Sequence, residues 1–152
     1  MKAQFYDTLN RQVQALFAGE DDVICAMANF SALLNEHLED INWVGFYLLK
    51  DEQLVLGPFQ GKLACTRIPM GKGVCGTAAA KAETQLVEDV HQFVGHIACD
   101  AASNSEIVIP LYRHGELIAV LDIDSPSLSR FDKEDQTGLE SLVQSLEKCL
   151  FG

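Results

Sequence analysis

The hydrophobic pattern changes its period twice along this chain, and that change limits the fold more than any other feature of the sequence. Apolar residues follow a helical period over roughly residues 5–38, alternate over roughly 42–122, and return to the helical period after about 132. A period near 3.6 is typical of amphipathic helices, and a period of two is typical of half-buried strands. The order of elements is therefore two helices, antiparallel hairpins and a closing helix. This order predicts an α+β fold with a single antiparallel sheet flanked by helices, not the alternation of a parallel α/β fold.

Each of the three predicted helices has an apolar stripe and a residue that marks where the helix begins or ends. Gly19 ends the first helix, and Asp21 or Asp22 can cap the second. The closing helix begins near Asp132, with Asp135 at the spacing of a capping box. The stripes consist of Phe5, Leu9, Val13, Leu16 and Phe17, then Val23, Met27, Phe30, Leu34 and Leu38, and finally Leu139, Leu142, Val143, Leu146 and Leu150.

Short turns divide the central region into two hairpins and a Gly-rich connection. The turns lie at 50–52 and 113–115, and the Gly-rich segment 71–77 is predicted to be a loop that opens a short helix. Pro69 is expected to end the third strand, and residues 91–105 read as a long irregular loop. The predicted main strands are 43–49, 53–59, 62–68, 106–112 and 116–122, with a short apolar piece at 85–90.

The net charge of −11 disfavours two classes of partner. Nucleic acid and anionic membranes both require a basic surface that neutralises phosphate. The N-terminus lacks the apolar run of a secretory signal, and no stretch is long and apolar enough to cross a bilayer. Together with the odd number of cysteines, five, these features predict the reducing cytoplasm.

The five cysteines fall into two groups. Cys25 and Cys149 are placed on the apolar faces of predicted helices, where a thiol packs as a small hydrophobe. Cys65, Cys75 and Cys99 lie between Gly-rich and loop-like segments, where a thiol near charge can become a reactive thiolate. The central three are therefore the candidates for chemistry.

Three acidic residues are predicted to share one face of the sheet. Asp122 and Asp124 are two apart on one strand, and Glu106 lies across the hairpin. Crowded carboxylates cannot all ionise cheaply, so at least one pKa is expected to rise and to provide a general acid. The alternative is a solvated strand face that ends in a turn.

Three further groups of residues are candidates for binding a ligand or a metal, and each also has a simple structural explanation. The Gly-rich turn can present backbone N–H groups to an anion, or can be an ordinary turn. Trp43 and Tyr47 share a strand face and can hold an apolar substrate group, although core packing explains them as well. His91, His96 and Cys99 do not have the spacing of a zinc site, so we predict neither metal nor cofactor.

The sequence resembles the GAF domains, and within them the free methionine-(R)-sulfoxide reductases. The resemblance rests on NWVGFY at 42–47, LIAVLDIDS at 117–125 and the three central cysteines, and it spans residues 1–152 as one GAF-like domain. It implies that Cys99 is the attacking thiol, Cys65 the resolving thiol and Cys75 a further or substitute resolver. It also implies a substrate pocket lined by Trp43, Tyr47, Glu106, Asp122 and Asp124.

Two functions compete at this point. The first is reduction of free methionine-(R)-sulfoxide with recycling by thioredoxin, as the resemblance implies. The second is a stand-alone GAF module that senses a small molecule or redox state. Sensors usually act through an attached output domain, for which 152 residues leave no room, so we expect the enzyme. The oligomeric state is not fixed by the sequence, and a homodimer stays open.

Overall fold

Six strands form one antiparallel sheet in the computed structural model, which describes residues 1–96 and 102–152. The strand order is β3-β2-β1-β6-β5-β4, and all neighbouring strands are antiparallel. This arrangement confirms the predicted α+β fold. The helices are α1 (Lys2–Leu16), α2 (Val23–His37), α3 (Gly73–Lys81) and α4 (Lys133–Phe151), and the strands are β1 (Trp43–Lys50), β2 (Gln53–Gly61), β3 (Arg67–Pro69), β4 (Gln85–Val87), β5 (Ser105–Arg113) and β6 (Glu116–Ser125).

The sheet has a hydrophobic cluster on each face. Helices α1, α2 and α4 contribute the larger cluster, in which Phe30, Leu34 and Leu139 are fully buried. Helix α3 covers part of the other face and forms a smaller cluster with Trp43 and Tyr47. Among the described residues, no helix is long and apolar enough to cross a membrane.

The helix ends follow the sequence signals closely. The side chain of Asp22 accepts a hydrogen bond from the N–H of Cys25 and caps α2. Asp132 and Asp135 form the predicted capping box at the start of α4. Asp135 is also buried, and its carboxylate accepts a hydrogen bond from Tyr6 Oη at 2.7 Å and one from Lys2 Nζ at 2.8 Å. Asp135 therefore both completes the capping box and fixes α1 against α4.

The apolar stripes of α2 and α4 are confirmed, but that of α1 is rotated. Leu9, Val13 and Phe17 are buried, whereas Phe5 and Leu16 are exposed. Tyr6 takes the buried position next to Phe5 because its ring packs against α4 at Gly138, where a Cβ atom would lie 2.2 Å from the ring. An aromatic residue with a polar tip is buried here because its hydroxyl has a partner.

The predicted third strand is mostly wrong. Only Arg67–Pro69 forms β3, and Cys65 lies in the irregular connection that precedes it. Pro69 does not end the strand but belongs to it. Proline has no N–H to donate, and this is tolerated because β3 is at the edge of the sheet. Side chains of β1 hold the connection instead, because Trp43 Nε1 donates to the carbonyl of Lys62 and Tyr47 Oη to that of Cys65.

The prediction that Cys25 packs on an apolar face is also wrong. Cys25 is exposed in the first turn of α2, and its Sγ lies 3.4 Å from Glu20 Oε1. This hydrogen bond to Glu20 is the main cause of the raised pKa of the thiol. Cys149 is half-buried and packs against the core, as its position on α4 predicts.

Candidate active site

The three candidate carboxylates are neighbours across the β5–β6 hairpin. A two-residue turn, His114 and Gly115 with φ of 49° and 82°, joins the strands as in a type I′ hairpin, and the register shifts by one residue between Leu111 and Tyr112. Glu106 then lies directly opposite Asp124, and Asp122 pairs with Val108 two positions further along β5. Strand β6 continues to Ser125, beyond the predicted end at residue 122, so Asp124 is part of the strand.

All three carboxylates are buried. Glu106 is 7% exposed, Asp122 6% and Asp124 9%, so the alternative of a solvated strand face is wrong. Oδ1 of Asp122 is buried and has no hydrogen-bond partner within the described part of the chain. An unsatisfied carboxylate oxygen at this depth is costly, and it marks a position where a polar or cationic ligand group would be stabilised.

Aromatic side chains of β1 and β2 form the wall beside the carboxylates. Trp43 pairs with Asp124 across β1 and β6, and its ring stacks between Tyr47 and Phe59 at centroid distances of 6.0 and 5.1 Å. Trp43 and Tyr47 are each 2% exposed. Both predictions, core packing and cavity wall, are therefore met: the rings are buried against the smaller cluster and also line the cavity.

Helix α3 begins inside the Gly-rich segment and closes the cavity on another side. Cys75 lies in its first turn and is buried, so the expected loop setting of this thiol is wrong. The N–H groups of Gly71, Lys72 and Gly73 donate to the carbonyls of Gly76, Pro69 and Gly95, respectively. These three donors are therefore already used, and an anion at this helix terminus would rely on the following N–H groups and on the Lys72 side chain, which lines the cavity.

Burial and mutual repulsion raise the pKa values in this cluster. The pKa of Glu106 lies well above its usual value because of burial, and the charges of Asp122 and Asp124 raise it further. Burial also raises the pKa of Asp122, although hydrogen bonds from Glu106 and Asp124 oppose this rise. Of these two carboxyl groups, Glu106 has the more strongly raised pKa and is therefore the candidate proton carrier. An acid that stays protonated near neutral pH can act as a proton donor.

The thiol of Cys75 shares this environment. Its Sγ lies 3.9 Å from Glu106 Oε2, and burial, followed by the charges of Asp122 and Glu106, raises its pKa well above 9.0. The thiol is thus held in its neutral form, which is a poor nucleophile. Burial and the charge of Asp122 also raise the pKa of Tyr47.

The cysteines differ in their chemical state. Cys65 is half-buried and disulfide-bonded, whereas Cys25, Cys75 and Cys149 carry free thiols. Cys99, the predicted attacking thiol, lies outside the described residues. Cys65 lies beside the cavity, because its neighbours in the chain, Leu63 and Ala64, line the cavity.

The residues that could hold a cation differ from those weighed in the sequence. One ligand atom each from Cys75, Glu106 and Asp122 lie within 4.8 Å of one another. The rings of His91 and His96 meet edge to face at 6.4 Å, but only His96 lines the cavity. The cluster is therefore suited to a positively charged group, including an organic ammonium.

The cavity brings together six of the predicted site residues and three that received no role from the sequence. The predicted ones are Trp43, Tyr47, Cys75, Glu106, Asp122 and Asp124. Lys72, His96 and Ser103 complete the polar lining. Lys72 could have been found from its place in the Gly-rich turn, whereas Ser103 carries no sequence signal.

We predict that stability falls as pH rises, because Glu106 has a raised pKa in the folded state. Above the ordinary value of 4.5 the unfolded chain loses a proton that the folded protein keeps, so the free energy of unfolding decreases until Glu106 itself ionises. The slope is expected to reach about 1.4 kcal/mol per pH unit for one retained proton. Urea unfolding between about pH 5 and 8 measures it.

Glu106→Gln should flatten this dependence, because glutamine cannot ionise. Glu116→Gln is the matched control, since Glu116 is an exposed carboxylate at the other end of β6. Equal slopes in the wild type and in Glu106→Gln would show that Glu106 does not retain the proton.

Comparisons with known proteins give the same result at three levels. A family model described as GAF domain matches residues 30–150. The free methionine-R-sulfoxide reductase of Escherichia coli K12 is 62% identical over 149 residues, which cover 98% of this chain and 90% of that protein. Identity at this level over nearly the whole of both chains shows common family membership.

Two solved structures of proteins with bound substrate resemble this chain in both sequence and fold. The fRMsr of Staphylococcus aureus in complex with substrate is 54% identical, covers 95% of both chains and superposes with a TM-score of 0.92. The free methionine-R-sulfoxide reductase of Neisseria meningitidis in complex with its substrate is 47% identical, covers 98% of this chain and 90% of that chain, and has a TM-score of 0.93. The chain with the carboxylate cluster at its β5–β6 hairpin belongs to the GAF-domain family of free methionine-(R)-sulfoxide reductases.

Proposed function

We propose that this chain, as one GAF-like domain over residues 1–152, reduces free L-methionine-(R)-sulfoxide to L-methionine, with Cys99 as the attacking thiol. The Cys99 thiolate attacks the sulfoxide sulfur, the S–O bond of the substrate breaks, and the oxygen forms a new S–O bond to the cysteine sulfur and takes up one proton. Methionine leaves, and Cys99 is oxidised to the sulfenic acid. The substrate sulfur gains the two electrons that the cysteine loses.

The thiol of Cys65 then condenses with the sulfenic acid, which releases water and forms a disulfide. A thioredoxin dithiol supplies two electrons to reduce this disulfide and restore both thiols. The disulfide-bonded state of Cys65 and its position beside the cavity support this role. Cys75 is a substitute resolver, and its neutral buried thiol makes it a slow one. Free thiols and recycling by thioredoxin fit the cytoplasm.

The observation that carries the proposal is the carboxylate cluster inside an aromatic cavity. The ammonium group of a free amino acid would offset the repulsion among Glu106, Asp122 and Asp124, and Asp122 Oδ1 is available to accept its hydrogen bond. Glu106, held protonated by burial, is suited to give its proton to the departing oxygen. A binding module would not need a carboxylate that burial holds in its protonated form.

The other parts of the substrate match other parts of the cavity. The S-methyl group would pack against Trp43 and Tyr47, which are rigid and apolar. The α-carboxylate would lie near the Lys72 ammonium and the first turn of α3, where the helix dipole favours an anion.

A blocked substrate tests this assignment. N-acetylated, amidated methionine-(R)-sulfoxide lacks both charges, so the buried groups that bind them would be left unpaired. A penalty of a few kcal/mol predicts initial rates lower by roughly a hundredfold or more than on the free amino acid. Initial rates with dithiothreitol as reductant measure the ratio.

The free (S)-sulfoxide is the stereochemical control. The thiol and the proton donor approach the sulfur from fixed directions, so the (S) epimer should react far more slowly than the (R) epimer. Equal rates on the free and blocked (R) substrates would contradict the proposed binding roles of the carboxylates and of α3.

A further inference from the structure

The charges of this acidic chain are distributed unevenly, and the region around Cys65 is the exception. Residues 53–82 contain none of the 22 acidic residues and four of the 11 basic ones, Lys62, Arg67, Lys72 and Lys81. This segment forms β2, β3 and α3, and Cys65 lies in its middle. In a protein of net charge −11, the segment that surrounds the described disulfide cysteine therefore carries basic residues and no acidic ones.

The cations of this region are not used to hold the fold together. Lys62, Arg67 and Lys72 are exposed, and within the described part of the chain none of them pairs with a carboxylate. Arg67 Nη1 donates only to the adjacent carbonyl of Thr66, and the carbonyl of Lys62, not its ammonium, accepts the bond from Trp43. Their charges are thus available to a molecule that approaches Cys65.

Exposed apolar side chains lie among these cations. Leu63 is 91% exposed and is two residues from Cys65, and Val94 is 94% exposed. The carbonyl of Gly95 accepts a hydrogen bond from Gly73 N–H, which places Val94 next to Lys72 at the start of α3. Leu63 and Val94 beside these cations therefore offer an approaching protein both apolar contacts and charge.

We propose that Lys62, Leu63, Arg67, Lys72 and Val94 form a docking surface for the protein dithiol that reduces the Cys65 disulfide, and that this partner presents an apolar surface bordered by carboxylates. The inference rests on the proposed function, because it concerns the recycling step of that reaction. The substrate explains the charge of Lys72, which lines the cavity, but not those of Lys62 and Arg67, which do not. A small dithiol does not explain the apolar residues, since it would contact only the sulfur atoms.

The docked partner acts by thiol–disulfide exchange. A partner thiolate attacks Sγ of Cys65, the disulfide bond of Cys65 breaks, and its other sulfur leaves as a thiolate that takes up a proton. The second partner thiol then attacks the mixed disulfide, which releases the Cys65 thiol and leaves the partner oxidised by two electrons. Because Cys65 is half-buried, a protein partner must sit on the surrounding surface to bring its sulfur into line, whereas a small dithiol can reach the bond without docking.

Charge reversal separates docking from chemistry. Lys62→Glu/Arg67→Glu changes two exposed side chains that do not line the cavity. With thioredoxin, kept reduced by its reductase and NADPH, the double variant is expected to recycle at least about tenfold more slowly than wild type at low ionic strength, because charges at an interface rim act mainly on the association rate. The wild-type rate should fall as salt is raised, and that of the variant should not. Val94→Ser should raise the KM for thioredoxin at all salt concentrations.

Two controls distinguish the possible failures. Arg11→Glu/Lys133→Glu has the same change in net charge on exposed residues of α1 and α4, and it should recycle like wild type. Dithiothreitol-driven reduction of free methionine-(R)-sulfoxide should be equal in all these variants. Thioredoxin-driven rates that are the same in the docking and control variants overturn the docking surface while leaving the proposed function intact. If the wild-type protein does not reduce free methionine-(R)-sulfoxide with dithiothreitol, the proposed function itself is contradicted.

Discussion

Cys99→Ser is expected to abolish reduction of free methionine-(R)-sulfoxide, even in a single turnover. A serine hydroxyl is not ionised near neutral pH and cannot supply the soft nucleophile that the sulfoxide sulfur requires. Cys75, the free thiol in the cavity, cannot replace it, because burial and the carboxylates beside it keep its pKa well above 9.0. The measurement is methionine released per enzyme after mixing the reduced protein with substrate in the absence of reductant.

Cys65→Ser should give the opposite result in the same experiment. The attacking thiol is intact, so about one methionine per enzyme should be released in a burst, and turnover should then stall or continue slowly through Cys75. Cys25→Ser is the matched control, because Cys25 is an exposed thiol on α2 that does not line the cavity. A burst that survives in Cys99→Ser would mean that another residue performs the first step.

The elements of this fold that depend on local signals were predictable. The capping box of Asp132 and Asp135 and the stripe of α4 follow from side-chain hydrogen bonding and from a helical period over a long segment. The turn at His114 and Gly115 fixes the pairing of Arg113 with Glu116 in the same local manner. That pairing alone would place Glu106 opposite Ile123, on the face away from Asp122 and Asp124. The register shift between Leu111 and Tyr112 moves the pairing by one residue and brings Glu106 opposite Asp124. The shared face of the three carboxylates therefore depends on a bulge that the turn residues do not predict.

The sequence pattern predicted the wrong secondary structure where tertiary contacts determine the local conformation. Residues 62–66 have strand-like composition, but bonds from Trp43 and Tyr47 to the carbonyls of Lys62 and Cys65 hold this segment outside the sheet. Cys75 follows glycines that suggest a loop, yet α3 begins at Gly73. At Gly76 a Cβ atom would lie 2.5 Å from the carbonyl oxygen of Pro69, so that glycine allows close packing of the helix on β3.

The electrostatics of the site depend on burial, which a sequence pattern reports poorly. The alternation on β6 places Asp122 and Asp124 on one face but does not say whether that face meets water. The aromatic wall and α3 cover this face, and the resulting burial raises the pKa of Glu106 so that it keeps its proton. Lys72 and Ser103 reach the cavity through the same tertiary packing.

Removing single carboxylates from this cluster is expected to cost on the order of a hundredfold or more in kcat/KM, the range of a lost general acid. The residues should differ in how the loss arises. Glu106→Gln removes the proposed proton donor but keeps a hydrogen-bond donor of the same size, so the loss should fall mainly on kcat. Asp122→Asn removes the negative charge that is proposed to bind the ammonium group through Oδ1. The loss should therefore fall largely on KM. Asp124→Asn, opposite Glu106, is expected to affect both.

The pH profile distinguishes proton donation from simple packing. In wild type the rate should decline as pH rises through the raised pKa of the cluster, because the donor ionises and further repels the attacking thiolate. Glu106→Gln should lose this decline together with its activity. Glu116→Gln, an exposed change on the same strand as Asp122 and Asp124, should retain both. If the Glu106, Asp122 and Asp124 variants are all folded by circular dichroism and reduce the substrate at near wild-type rates, the cluster neither binds the amino acid nor supplies the proton, and the acid must be sought among the remaining cavity residues such as His96.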